Sequence, residues 1–364
     1  MRERLMEART STPHAAAKRP RPSRLALAFL VVGIALFWLA LARAGLPEIG
    51  AQLRQVGPRV AWLLLPYAAG TAISAWPWAL LLPARSRPRP LGALAGRFVA
   101  SSANAILPFF GLAGEPLRLL WLEQDAKAEG VAAIVVDRAL YNASNGLLLL
   151  AGAAIALSGT PLPAALSLGA AAAALATLLV TLLVLWVAVR AGIGRRLQAV
   201  LSRMLGSEYR DGSFGRTVDA TVLVMLRSGG LRLALGTLTH VLGRSVILLE
   251  VYLALGFLGI PYSMADATAL AVVPIGLSLV FSSIPSQLGV QEGGQALVAA
   301  ALGMSPSVGV TLVLLQRFRQ LVFAALAPIW LNVARSRKIP APAASFAAEG
   351  AEQPRRRSRA ARDS

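Results

Sequence analysis

The sequence lacks the residues on which much enzyme chemistry depends. It contains no cysteine and only two histidines, so disulfides, thiolate nucleophiles and metal centres built on cysteine or histidine are excluded. Of the two histidines, His14 belongs to a polar N-terminal stretch, which leaves His240 alone among the apolar runs. No P-loop, GxSxG turn or polar segment long enough for a catalytic domain is present. We therefore expect no catalytic residue, no metal and no cofactor.

Acidic residues are also scarce, since 17 Asp and Glu stand against 36 Lys and Arg, for a formal net charge of +19. Such a balance is compatible with nucleic-acid binding. We reject that interpretation because the basic residues lie between apolar runs and in the two tails, as in the cytoplasmic loops of membrane proteins. Only 15% of the residues are charged, 56% are hydrophobic, and the mean hydropathy is +0.63. This composition predicts a polytopic helical membrane protein.

The apolar runs predict an all-α fold with about six to eight transmembrane helices. Continuous runs cover residues 25–42, 59–82, 131–157, 161–189, 233–258 and 311–333, and interrupted runs cover residues 91–112 and 268–303. The connections at 158–162, 259–267 and 304–306 contain no Lys or Arg, whereas both tails are basic. We therefore expect both termini in the cytoplasm. The first run is interpreted as an uncleaved anchor rather than a signal peptide, because its basic arm is long.

Three regions are expected along the chain. Residues 1–24 form a disordered basic cytoplasmic arm, residues 25–335 the transmembrane domain, and residues 336–364 a disordered cytoplasmic tail. Within the domain, we predict a short loop at 43–58. The arginine-rich stretch 190–232 is predicted as a cytoplasmic loop, and an amphipathic helix near 218–226 could lie on the membrane surface.

The second interrupted run ends in IPSQLGVQEGGQALVAAALG, which places Pro285, Gly289, Glu292 and Gly293 at membrane depth. Lipid tolerates irregular backbone and a carboxylate only where protein or water surrounds them. We therefore predict a re-entrant hairpin from the non-cytoplasmic side, with Glu292 in the first turn of its returning helix. Glu292 either contacts a substrate or neutralises an arginine, Arg317 or Arg319. The GxxxG step would let another helix approach closely.

The first interrupted run contains Asn104 and Pro108 and continues into the sequence GEPLR, which holds Glu115 and Arg118. Basic residues flank this run on both sides, which predicts a second hairpin that enters and leaves on the cytoplasmic side. The two hairpins would then enter from opposite faces, an arrangement found in transporters with broken helices. Glu115 and Arg118 either bind a substrate or only mark a helix start at the membrane surface.

Further polar residues lie on predicted spans. Asp137 and Tyr141 share one helical face, with Arg138 beside them. Asp137 and Arg138 could also be a plain interfacial pair. Arg244 lies nearer a helix interior, where an arginine is costly without a partner, so we expect it in a pocket or a buried pair. His240 is interpreted as a packing residue.

Three motifs resemble those of the lysylphosphatidylglycerol synthase transmembrane family, also called flippase-like. They are NAILPFFGLAGEPLRLLWL, VVDRALYN, and IPSQLGVQEGG with the later LLQRFRQLVF. The LGVQEGG form is similar to the hopanoid-associated subgroup. The resemblance covers roughly residues 25–335 and implies a bacterial inner-membrane protein that moves or handles lipids. The soluble aminoacyl-transferring domain of the full synthases has no counterpart here, and Ser286 and Gln287 stand where the family commonly has glycine.

The motif match and the residue patterns together give one set of candidates. The candidate substrate-binding residues are Asn104, Glu115, Arg118, Asp137, Arg138, Tyr141, Arg244, Glu292 and Arg317. The candidate hairpin-forming residues are Pro108, Pro285, Gly289 and Gly293.

The leading hypothesis is a protein that translocates a lipid or lipid-linked molecule without ATP hydrolysis. Its expected partners are membrane lipids with anionic or polyhydroxylated headgroups, and no nucleic acid. Two alternatives stay open. One is a membrane-embedded transferase with Glu292 or Asp137 as general base. The other is a non-catalytic scaffold for lipid-biosynthesis enzymes.

Overall fold

The computed structural model describes residues 24–106, 114–159, 164–205, 212–281 and 284–335, which contain helices and no β-strand. The α-helices in chain order are α1 (Arg24–Ala44), α2 (Leu46–Val56), α3 (Leu64–Ile73), α4 (Trp76–Leu81), α5 (Pro90–Ile106), α6 (Lys127–Gly159), α7 (Ala164–Ala191), α8 (Ile193–Leu205), α9 (Ser213–Ser228), α10 (Gly230–Leu258), α11 (Met264–Val280), α12 (Val290–Ala301) and α13 (Pro306–Arg335). The predicted all-α fold is confirmed.

Three helices in the described part of the chain are long and apolar enough to cross a membrane: Ala171–Ala191, Gly230–Leu258 and Pro306–Asn332. A fourth candidate is the pair Val31–Ala44 and Leu46–Leu81, which is bent by 83°. α6 is longer than any of them, but the polar residues of its first half lower its hydropathy. α5, α11 and α12 are shorter because each belongs to an interrupted element. The expected number of six to eight crossings stays a prediction.

The predicted loop at 43–58 is wrong, because most of it is helix α2. Gly45 has a φ of 85°, which bends the chain sharply after α1, and Pro47 then occupies the first turn of α2, where its missing N–H costs nothing. α2 buries Ile49, Gln52 and Val56. Gln52 donates to Ser307 Oγ at 2.8 Å and accepts from Thr311 Oγ1 at 2.6 Å, so α2 is fixed to the start of α13.

The first interrupted element turns back on itself as predicted. α5 leads into the segment 107–113, and a 3₁₀ helix at Glu115–Trp121 then runs back along α5. A Cβ added to Gly114 would lie 2.1 Å from the carbonyl oxygen of Ala100, and one added to Gly96 would lie 3.6 Å from Arg118 Cα. These contacts pair the two arms in antiparallel order. Pro108 lies outside the described residues.

The second interrupted element is also a hairpin. α11 and α12 are antiparallel, because Gln291 Nε2 donates to the Pro274 carbonyl at 3.3 Å and Gln295 Nε2 donates to the Leu270 carbonyl at 2.7 Å. The turn between them includes a short 3₁₀ segment at Pro285–Gln287. Ser286 and Gln287 both have φ near 50°, a region that favours glycine. These two non-glycine residues therefore carry the strained backbone of the turn.

The predicted loop at 190–232 is largely helical too. The described residues of this stretch form α8 and α9, which pack on each other. The amphipathic helix expected near 218–226 is α9, which buries Val218, Val222 and Met225 against the beginning of α6. Asp219 of α9 accepts hydrogen bonds from the first amides of α8, at 2.6 Å from Gly194 N. A carboxylate there stabilises the helix start, so the two helices cap and cover each other.

Candidate functional site

Arg118 is the centre of the first polar group. It lies on the returning arm of the first hairpin, and its side chain is only 1% exposed. It contacts two carboxylates: Glu115 Oε2 at 3.1 Å and Asp137 Oδ2 at 2.7 Å. The Trp78 ring, with its centroid 5.7 Å from the guanidinium carbon, covers another side. Two buried carboxylates thus share one guanidinium, which binds the hairpin to α6.

Asn104 holds the two arms of this hairpin together. Its Nδ2 donates to Glu115 Oε1 at 3.0 Å, and its Oδ1 accepts from the Gly114 N–H at 2.7 Å. Both ends of the amide are therefore used within the hairpin. Asn104 therefore positions Glu115 within the hairpin.

Asp137 is buried and does not form an interfacial pair with Arg138. Its second oxygen, Oδ1, is 2.9 Å from His240 Nε2 on α10. His240 is fully buried, and its contact with Asp137 makes it a polar partner and not only a packing residue. Sequence reasoning missed this contact because 103 residues separate the two side chains. The available signal for a polar role of His240 was its position on the same face of α10 as Arg244.

Tyr141 is surrounded by three arginines from three helices. The guanidinium carbons of Arg97, Arg138 and Arg244 lie 5.4, 4.9 and 5.3 Å from the centre of its ring. Arg244 Nη1 also donates to the Tyr141 hydroxyl at 2.9 Å. Arg138 is 3.8 Å from Glu115 Oε1, and the other two guanidiniums have no carboxylate within ion-pair distance among the described residues. Arg97 was not predicted as a site residue. The signal that identified Arg244, an arginine inside an apolar helix, applies to Arg97 as well.

We refer to this group as the Tyr141 cluster, which consists of Arg97, Glu115, Arg118, Asp137, Arg138, Tyr141, His240 and Arg244. Four guanidiniums face two carboxylates, so with His240 neutral the described cluster has two positive charges in excess. Uncompensated charge inside a protein is costly and is retained mainly where it binds something.

Glu292 belongs to a second polar group. Its Oε2 accepts from the Gly289 N–H at 2.8 Å, which caps α12, and its Oε1 accepts from Arg317 Nε. The Glu292 side chain has no exposed surface. The expected position in the first turn and the expected partner Arg317 both hold, so Glu292 neutralises an arginine rather than offering a free carboxylate.

The glycines next to Glu292 have different surroundings. A Cβ on Gly289 would lie 2.4 Å from Leu36 Cβ and 2.5 Å from Phe37 N, so α1 approaches the turn closely only because glycine is there. Gly293 has nothing within 4 Å of an added Cβ. The expected close approach of another helix is therefore made at Gly289 and not at Gly293.

A second ion pair, Glu250 of α10 with Arg319 of α13, was not predicted. Arg319 also lies over the Tyr67 ring, with its guanidinium carbon 4.3 Å from the ring centre. We call the two pairs, Glu250–Arg319 and Glu292–Arg317, the Glu292 cluster. In contrast to the Tyr141 cluster, each cation here has its own carboxylate.

A cavity of about 170 Å³ joins the two clusters. Its wall includes Arg244 from the first cluster and Glu250, Arg317 and Arg319 from the second. The remaining polar wall consists of hydroxyls and amides, from Ser278, Ser286, Gln287, Gln291, Gln316 and Gln320. Such a lining can bind a charged or a polyhydroxylated group. Within the described ranges no set of His, Cys, Asp or Glu has metal-binding geometry.

The two hairpins, α6 and the arginines of α13 all lie within one stretch that matches a family model. That model is the lysylphosphatidylglycerol synthase TM region, and it matches residues 25–327. The chain belongs to this family. Members of the lysylphosphatidylglycerol synthase TM family are membrane proteins acting on lipids, and the chain is accordingly a multi-pass membrane protein. Comparisons with curated proteins and with solved structures give no match.

Proposed function

We propose that this protein binds and translocates a lipid or lipid-linked molecule, and does so without hydrolysing ATP. The observation that supports the proposal best is the excess of positive charge in the Tyr141 cluster. A buried pair of uncompensated guanidiniums favours an anionic headgroup over a neutral one. The position of the cluster on membrane helices makes a lipid the natural source of that headgroup.

The hairpins support movement as well as binding. Both clusters use a carboxylate from the break of a hairpin, Glu115 in the first and Glu292 in the second. In transporters, irregular backbone at membrane depth lies where it lines a cavity for the substrate. Here the cavity between the clusters is lined partly by the turn of the second hairpin, through Ser286 and Gln287. A headgroup could move between the clusters along this polar wall.

The transferase alternative is less well supported. Its general base would be Asp137 or Glu292. Asp137 is bound by Arg118 and His240, and Glu292 by Arg317 and a backbone amide, so neither carboxylate is free to take a proton from a substrate. The scaffold alternative predicts that the charges of the Tyr141 cluster can be neutralised without effect on lipid movement.

The distribution of charge supports a location in the bacterial inner membrane with both termini in the cytoplasm. The arginine-rich α8 and α9 would then lie on the cytoplasmic side, where anionic lipids attract basic segments. The connection between α10 and α11 contains no basic residue and would lie on the opposite side.

Translocation can be measured in proteoliposomes that contain purified protein and a trace of acyl-labelled fluorescent phosphatidylglycerol or phosphatidylcholine. A membrane-impermeant reductant reports the label that reaches the outer leaflet. We expect the protein to accelerate movement of the anionic probe more than that of the zwitterionic probe. Arg244→Gln should slow the anionic probe by at least about tenfold, the effect of one charge-assisted hydrogen bond.

The matched control is Arg59→Gln. Arg59 also lies over an aromatic ring, 5.4 Å from the centre of Phe257, but it is exposed. Phe257 lies about 20 Å further along the axis of α10 than Arg244. This variant should translocate at the wild-type rate. Equal probe movement with and without protein would refute the translocase function.

A further inference from the structure

The arrangement of donors around Tyr141 defines a narrower ligand than an anionic headgroup in general. Three guanidiniums approach one ring, and a ring face attracts cations without neutralising them. The two carboxylates of the cluster are already bound to Arg118. The positive charge on the Arg97 and Arg244 side is therefore left for a ligand.

Arg97, Arg244 and Tyr141 also have unused hydrogen-bond donors. The Nε atoms of Arg97 and Arg244 are buried and have no hydrogen-bond partner in the described structure. The Tyr141 hydroxyl accepts from Arg244, so its own proton remains available to a further acceptor. Buried donors are almost always satisfied in folded proteins. A ligand with several acceptor oxygens would satisfy all three.

We propose that Arg97, Tyr141 and Arg244 of the Tyr141 cluster bind a phosphomonoester dianion, carried by a lipid. A phosphodiester has one negative charge, whereas a phosphomonoester has close to two near neutral pH. The cluster has two positive charges in excess, so the dianion balances it and the diester does not. A monoester has three terminal oxygens, as many as the three free donors of Arg97, Arg244 and Tyr141.

The lipid source of the phosphate rests on the proposed function, and the charge balance does not. Arg244 lines the cavity, whose wall also includes apolar side chains such as Ile247, Val251 and Ile275. A mixed wall of this kind suits a headgroup together with the beginning of its hydrocarbon part. Free phosphate would use only the polar side.

Binding to the purified full-length protein in detergent separates these possibilities. The three probes are dioctanoyl phosphatidate, dioctanoyl phosphatidylglycerol and inorganic phosphate, measured by titration calorimetry. At pH 8 we expect phosphatidate to bind at least about tenfold more tightly than phosphatidylglycerol, because the second charge forms further charge-assisted bonds. The difference should shrink at pH 5, since the monoester gains a proton below its second pKa of about 6.

Variants test whether the named donors carry this preference. Arg97→Gln and Arg244→Gln should each weaken phosphatidate binding by about tenfold or more and affect phosphatidylglycerol less. Tyr141→Phe removes only the hydroxyl and should have a smaller effect. Arg59→Gln should leave all three affinities unchanged. Gel filtration and the unfolding midpoint verify that each variant is folded.

Equal affinity of wild-type protein for the two lipids at pH 8 would overturn the phosphomonoester assignment. Binding of inorganic phosphate that is lost in Arg97→Gln, with no binding of phosphatidate, would support the dianion site and overturn its lipid source. The proteoliposome assay tests the proposed function independently of both of these binding results. Translocation of phosphatidylglycerol without preference for a monoester would leave the proposed function intact while this inference fails.

Discussion

The Tyr141 cluster and the Glu292 cluster both join a hairpin to long helices through buried arginines, but their charges are balanced differently. In the Glu292 cluster each arginine has its own carboxylate. In the Tyr141 cluster the two carboxylates share Arg118, while Arg97 and Arg244 have neither. A balanced group can be complete without a ligand, whereas an unbalanced one is completed by an anion. The Glu292 cluster therefore fixes the second hairpin, whereas the Tyr141 cluster is the one that we propose receives the charged part of a substrate.

The same difference exists inside the Tyr141 cluster. Arg118 is engaged by carboxylates on two sides, so it acts as a structural connection between the first hairpin and α6. Arg97 and Arg244 meet only the ring and hydroxyl of Tyr141. Neutralising the structural arginine and neutralising the ligand-facing ones should accordingly have opposite consequences for stability and binding.

The largest effect on stability is expected from Arg118→Leu. This change leaves Glu115 and Asp137 buried without their main partner, and breaking a buried ion pair on one side costs about 3–5 kcal/mol. The free energy of unfolding in detergent micelles measures the loss. A change as small as that of Arg97→Gln would show that the cluster is not divided into structural and ligand-facing arginines.

Gly289→Ala tests whether the second hairpin is fixed by its contact with α1. Its φ of 78° is unfavourable for alanine, and the added Cβ would meet the backbone of α1. Together these effects should destabilise the protein by about 2–5 kcal/mol. The control is Gly293→Ala, which has room for a Cβ and should be neutral or stabilise by up to about 1 kcal/mol. Similar losses in the two variants would contradict the contact described for Gly289.

The smallest effect on stability is expected from Arg97→Gln. Removing one of several like charges relieves repulsion and leaves no carboxylate unpaired, so the free energy of unfolding should change by less than about 1 kcal/mol. Arg319→Gln is the matched change in the Glu292 cluster and should cost more, because it leaves Glu250 buried and alone. An equal loss of stability in Arg97→Gln and Arg319→Gln would show that the two clusters do not differ in their charge balance.

Much of the architecture could be predicted because its signals are local. Glycine and proline inside apolar runs, together with the charges that flank those runs, indicated both hairpins, and Arg317 or Arg319 was expected as the partner of Glu292. Helix α2 was missed because it is only 11 residues long and is bounded by Gly45 and Gly57, although its buried residues follow a helical spacing. The pairs Asp137–His240 and Glu250–Arg319 depend on contacts between distant helices. No local pattern contains that information, because packing alone decides which arginine meets which carboxylate.

The contact between α1 and the turn at Gly289 has a consequence for how the protein is made. Gly33 and Phe37 of α1 face Gly289, and Gln52 of α2 bonds Ser307 across 255 residues of chain. The ribosome synthesises α1 and α2 first, yet their partners emerge only after most of the chain has been translated. Helices α1 and α2 must therefore remain available for these contacts while the chain from α3 to α11 is synthesised. Because α1 packs against α12 and α2 packs against α13, the fold cannot be completed before these later helices have been synthesised.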